Sequence, residues 1–98
     1  MLTSKQRSKL KGLAAKLSPI GQVGKEGIGE NMLAGFSDCL EKRELIKINI
    51  LENADGSPKE IGAELAVRLS AECVIVIGRK AVLYRKSKRQ DIEHIVLD

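Results

Sequence analysis

The 98-residue chain is nearly devoid of aromatic side chains: Phe36 and Tyr84 are the only two, and there is no tryptophan. That argues against a surface that stacks nucleobases on rows of aromatic rings. Cysteine is limited to Cys39 and Cys73, and histidine to His94 near the C-terminal end. With no Cys-x-x-Cys pair and no Cys/His cluster, a zinc site has no ligand set. Nor can a Ser/His/Asp or Cys/His catalytic set be assembled. Both cysteines fall in apolar patterns and read as reduced, buried thiols, and His94 reads as incidental. No run approaches the roughly 20 apolar residues of a membrane span. The opening Met-Leu-Thr-Ser-Lys leads into an amphipathic segment without the apolar core of a signal peptide. Carboxylates sit at solvated helix positions or loop ends, and no pair of them is forced together. These absences describe a cytoplasmic protein with no metal, no cofactor, no membrane partner and no small-molecule substrate, and not an enzyme.

Acidic residues are also missing, but only in places. Residues 1–25 carry six basic side chains and no acid, and residues 73–90 again carry six and no acid. Residues 26–72 carry a formal charge of −5 and residues 91–98 one of −3, which leaves +4 overall. An acidic middle between two purely basic blocks points to a dipolar surface and a polyanionic partner.

The hydrophobic pattern then supplies the elements. Residues 4–17 read as a helix capped by Thr3 or Ser4, with Leu10, Leu13, Ala14 and Leu17 as its apolar stripe, stopped by Pro19. Lys5, Lys9 and Lys16 fall along one flank of that stripe, Arg7 and Lys11 along the other. Residues 20–23 form a short strand. Residues 30–43 form a second helix that buries Phe36 and Leu40, and residues 45–51 a strand with Ile46, Ile48 and Ile50 on one side and Lys47 and Asn49 on the other. A third helix over 59–71 opens at Ser57 or Pro58. Residues 73–77, a continuous β-branched run, read as a strand buried on both faces. Gly78-Arg79-Lys80 turns the chain into a last strand over 81–85. The order α-β-α-β-α-β-β gives a four-stranded mixed sheet with helices against it, an α/β sandwich of the α+β class. Residues 1–86 make one domain and residues 87–98 a loose tail, with Ile92, Ile95, Val96 and Leu97 as apolar residues able to dock on the fold. A monomer is expected.

One segment carries chemistry. Gly24-Lys25-Glu26-Gly27 sits between a strand and a helix. Its glycines let a ligand approach the backbone, and the following helix N-terminus offers unpaired N–H groups and the positive end of a dipole. That is a seat for a phosphate, with Lys25 as a mobile cation beside it. It is not a P-loop, because no Gly-Lys-Ser/Thr follows at the required spacing. GxxG loops clamp nucleic-acid backbone in KH domains. Lys5, Lys9 and Lys16 on the first helix and Arg79, Lys80 and Arg85 on the final hairpin would extend the positive surface, if the fold brings them to one side. Glu26 places a negative charge inside the proposed seat. A protein-interaction module docking a ribosomal protein or a GTPase through the acidic middle, and a DNA binder using the same basic face, remain open.

The chain resembles the YhbY family, the stand-alone bacterial form of the CRM (chloroplast RNA splicing and ribosome maturation) domain. The resemblance covers residues 2–86. It rests on Leu2-Thr3-Ser4-Lys5-Gln6-Arg7, on Pro19-Ile20-x-x-Val23-Gly24-Lys25-x-Gly27-Ile28, on Leu40-Glu41-x-Arg43-Glu44-Leu45-Ile46-Lys47-Ile48 and on Ile77-Gly78-Arg79-Lys80-Ala81-Val82-Leu83-Tyr84-Arg85. It implies a fold similar to the C-terminal domain of translation initiation factor three. It also implies binding of ribosomal RNA in precursors of the large ribosomal subunit, through the loop Gly24, Lys25, Glu26 and Gly27 and neighbouring basic residues. Gly29 stands where family members often carry a polar helix cap.

Overall fold

A computed structural model describes residues 2–97. The elements are α1 (Ser4–Ala14), β1 (Gly21–Val23), α2 (Glu30–Arg43), β2 (Leu45–Ile50), α3 (Pro58–Arg68), β3 (Glu72–Ile77) and β4 (Lys80–Tyr84). Two helices start on capping boxes. The Thr3 hydroxyl accepts from the Gln6 N–H at 3.1 Å while Gln6 accepts from the Thr3 N–H at 3.0 Å, and Ser57 and Glu60 repeat the exchange at 3.1 and 3.0 Å. α2 starts at Gly29 with no side-chain cap.

Two helices are shorter than their apolar patterns suggest. α1 ends at Ala14 rather than 17, because Lys16 and Leu17 bond back three residues, to Leu13 and Ala14, and tighten the last turn before Pro19. α3 ends at Arg68 rather than 71: Ser70 takes a left-handed φ of 53°, and the Ala71 N–H closes on the Ala66 carbonyl at 2.8 Å, which turns the chain into β3.

The sheet order is β1-β2-β4-β3, with β1 and β2 parallel and β4 antiparallel to both neighbours. This corrects the reading of β3 as a strand buried on both faces. It is the edge strand, with Ile77 61% exposed, while β4 lies inside the sheet and is buried from Ala81 to Tyr84. The unbroken apolar run has a local cause. The register with β4 slips between Cys73 and Ile75, so Val74 and Ile75 both reach the core on the same side.

One face of the sheet packs Val23, Ile46, Ile48, Ile50 and Leu83 against Phe36 and Leu40 of α2 and Ile61 and Leu65 of α3. The other packs Leu45, Val74, Val82 and Tyr84 against Leu10 and Ala14 of α1. Arg7 fastens α1 to the edge by donating to the Cys73 and Val74 carbonyls. Cys39 and Cys73 are free and half-buried rather than fully buried, and burial pushes the Cys73 thiol pKa up.

Residues 86–97 lack regular structure, yet they are docked. Glu44, at the end of α2, is fully buried and left-handed at φ 65°. Its carboxylate accepts from the Ser87 N–H at 2.7 Å, the Ile95 N–H at 2.6 Å and the His94 ring at 2.9 Å. Ile95 and Leu97 pack on the α1 core, and Gln6 donates to the Leu97 carbonyl at 3.4 Å. Two expectations are thereby corrected. His94 is not incidental, and one carboxylate is not at a solvated position, because the tail folds over it and replaces its water. Burial alone would raise the Glu44 pKa, but the His94 bond and the two backbone donors outweigh it and hold it below the ordinary carboxylate value. The same bond raises His94.

Removing the carboxylate as Glu44→Ala should cost about 2–4 kcal/mol and should deprotect the Ser87 and Ile95 amides in hydrogen exchange. A lowered Glu44 pKa gives stability that is present above the ordinary carboxylate value and lost as pH falls through the folded one. A raised His94 pKa gives stability that is full below about pH 6.5 and lost as pH rises through the folded value. The difference in denaturation midpoint between wild type and His94→Asn should therefore be greatest between about pH 5 and 6.5 and shrink at alkaline pH.

Candidate nucleic-acid interface

The loop after β1 closes on itself: the Gly27 N–H donates to the Gly24 carbonyl at 3.0 Å, with Lys25 and Glu26 exposed between them. Its two glycines are needed for different reasons. Gly27 sits at a φ of +76° with open space where a side chain would be. At Gly24 a Cβ would come within 3.1 Å of Leu51, so a side chain there would push against the loop that follows β2.

Arg79, in the hairpin, holds that second loop. Its Nε donates to the Ile50 carbonyl at 2.8 Å and its Nη2 to the Leu51 carbonyl at 2.7 Å, while the Ile50 N–H donates to the Arg79 carbonyl at 2.7 Å. Gly78, left-handed at φ 59°, makes the tight turn possible. The GxxG loop, the loop after Ile50 and the hairpin tip therefore share one rim of the sheet, at the C-terminal ends of β1, β2 and β3. In open sheets flanked by helices, ligands gather at such rims.

The remaining candidates divide. Lys25 and Lys80 stand at this rim, exposed and with no ion-pair partner among the described residues. Lys5, Lys9 and Lys16 lie on or just after α1, on the face of the sheet opposite α2 and α3; Lys9 donates to the Val96 carbonyl. Arg85 is elsewhere. It lies five residues beyond Lys80, about 17 Å along the strand direction, at the other end of the sheet. There its guanidinium donates to the Leu69 carbonyl at 2.8 Å, to Ser37 at 3.0 Å and to Glu41 at 3.1 Å. It bridges α2 to the end of α3. The Glu41 pKa is lowered, by the Lys88 N–H first and by Arg85 as well.

The helix N-terminus is less positive than its backbone alone suggests. The cleft there is lined by Glu26, Gly27, Gly29, Glu30, Asn31 and Met32, so two carboxylates flank the free N–H groups. Cations for a polyanion come instead from the loop tip and from the sheet. Lys80 occupies a cross-strand row with Gln22, Asn49 and Ile77 on the α1 face. Strand alternation in the sequence already set Lys47 and Asn49 opposite the isoleucines. That Gln22 joins them could not be read, because it depends on the register of β1. Among the described residues no helix is long and apolar enough to cross a membrane.

A family model for the CRS1/YhbY (CRM) domain matches residues 2–85. The chain is 40% identical over 88 residues to a Bacillus subtilis protein named "Probable RNA-binding protein YqeI", covering 90% of this chain and 92% of that one. It is 38% identical over 93 residues to a Haemophilus influenzae protein named "RNA-binding protein", covering 94% of this chain and 93% of the relative. Among solved structures it is similar to SAV1595 from Staphylococcus aureus, at 45% identity and a TM-score of 0.77, over 97% of this chain and 100% of that one.

Arg79→Ala should release the hairpin from the second loop and lower stability by about 2 kcal/mol in denaturant unfolding. Arg79→Lys should recover less than half of this, since an ammonium cannot reach two neighbouring carbonyls as a planar fork does.

Proposed function

The chain belongs to the CRS1/YhbY (CRM) domain family, and from that membership and the rim geometry we propose that it binds RNA. The observation that carries the reading is the meeting of the GxxG loop and the hairpin at one rim, with Lys25 and Lys80 free there. The Gly24–Gly27 backbone lies close to an RNA phosphate and Lys25 neutralises it. Lys80 holds a second phosphate, and Lys5, Lys9 and Lys16 extend the contact along α1. Arg79 and Arg85 act by positioning, the first fixing the hairpin against the loop and the second fixing α2 against α3.

The RNA in this reading is ribosomal RNA in precursors of the large subunit, as the family resemblance implies, and the protein acts as a cytoplasmic monomer. The names of its relatives support the RNA and speak of no reaction.

Phosphate contacts release counterions, so each one lost lowers the salt dependence of binding. Lys25→Glu should weaken binding to a large-subunit RNA fragment several-fold and reduce the slope of log K against log salt by about one. Lys42→Glu, exposed near the end of α2 that lies away from the rim, should leave both unchanged. Equal affinity and slope for Lys25→Glu and wild type would remove the loop from the mechanism.

A further inference from the structure

The row that contains Lys80 crosses the whole sheet. Gln22 of β1 pairs with Asn49 of β2, Asn49 with Lys80 of β4, and Lys80 with Ile77 of β3. Side chains paired in this way point to one face. Their strand neighbours Val23, Ile48 and Ile50 enter the core beneath α2 and α3, so the row faces the α1 side. α1 does not cover it. The helix packs on Leu45, Val74, Val82 and Tyr84, toward the other end of the strands. Gln22 and Lys80 are exposed, Asn49 is half-buried, and Ile77 is 61% exposed. At a strand spacing of about 4.8 Å the row is about 14 Å long.

The chemistry of the row is specific. The side chains of Gln22 and Asn49 have no hydrogen-bond partner among the described residues, although Asn49 is half-buried. Each carboxamide carries both a donor and an acceptor, and the two stand side by side on adjacent strands. Such groups match the donor–acceptor edges of nucleobases, which are open to protein in single-stranded RNA. Lys80 follows in the row, and Lys47 lies two residues from Asn49 on the same face. Ile77 offers apolar surface for a base or a ribose. The GxxG loop begins two residues after Gln22.

We propose that this row is a base-reading subsite for single-stranded RNA. Asn49 and Gln22 hydrogen-bond to base edges, while Lys25 and Lys80 hold the flanking phosphates. The inference rests on the RNA-binding reading above and adds sequence preference to it. The one aromatic ring on this face, Tyr84, is buried beneath α1, so bases are held by their edges rather than by stacking.

The test is fluorescence anisotropy with oligo-A, oligo-C and oligo-U of about ten nucleotides over a range of salt. Wild type should separate its best and worst probe by about tenfold or more. Gln22→Ala/Asn49→Ala should shrink that spread to about twofold with an unchanged salt slope, because phosphate contacts are intact. Asn49→Asp, close to isosteric, should also reduce the spread, with its fold confirmed by an unchanged denaturation midpoint. Lys25→Glu should weaken all three probes alike and preserve the spread. A spread that survives in the double variant, or is missing in wild type, would overturn the subsite and leave RNA binding standing. Wild type that binds none of these probes but binds the large-subunit RNA fragment would overturn the subsite alone; wild type that binds neither would overturn both.

Discussion

The return strand of the final hairpin, β4, lies between β2 and β3 and pairs antiparallel with both. From that insertion follow the core and the surface alike. Ala81 through Tyr84 are buried from both sides, Leu83 beneath α2 and α3 and Val82 and Tyr84 beneath α1. The alternation that achieves this sends Lys80 and Arg85, five residues apart, to opposite faces as well as opposite ends. One remains free at the rim beside the GxxG loop. The other is half-buried between α2 and α3, where Ser37, Glu41 and Leu69 take up its donors. A single basic block in the sequence thus becomes two different things in space: a free surface cation and an internal tie.

Glu44 has a comparable role on the other side of the sheet. Its left-handed backbone is costly for a residue with a Cβ. The conformation ends α2 and starts β2 within one residue and sets the carboxylate inside the protein. There, three donors from residues 87, 94 and 95 replace its water. Residues 87–97 are held by this anchor and by Ile95 and Leu97 against the α1 core. An 11-residue helix is about 16 Å long and cannot span the whole of that face. α1 and the tail together close the half nearer Glu44. The half nearer the GxxG loop stays open, and there the sheet presents polar side chains.

The electrostatics follow the same division. The acidic middle of the chain contributes Glu26 and Glu30 to the very helix end where an anion seat was expected. Lys25 and Lys80 therefore carry the positive charge of the rim, with Lys47 behind them on the sheet. In the proposed RNA-binding reading, these few free amines contribute more than the helix dipole, which the two carboxylates already oppose.

The amino-acid sequence by itself determined the order of elements, the boundaries of α2 and the isoleucine face of β2, and narrowed the first and third helix caps to Thr3 or Ser4 and Ser57 or Pro58. These are local matters of side-chain periodicity and backbone bonding within a few residues. It also marked the GxxG loop and the unequal distribution of charge. Tertiary structure decided the rest. The β-branched run of β3 looks central, but an edge position was settled by β4 taking the slot next to β2. Helix ends at Ala14 and Arg68 were decided by the turns needed to reach the next strand. His94 and Glu44, 50 positions apart, meet only because the tail folds back. Gln22 and Asn49 become neighbours only through the parallel register of β1 and β2. Periodicity says which side of its own strand a residue occupies. Which strands lie together, and how much of a face a helix leaves uncovered, depends on long-range packing that no local pattern encodes.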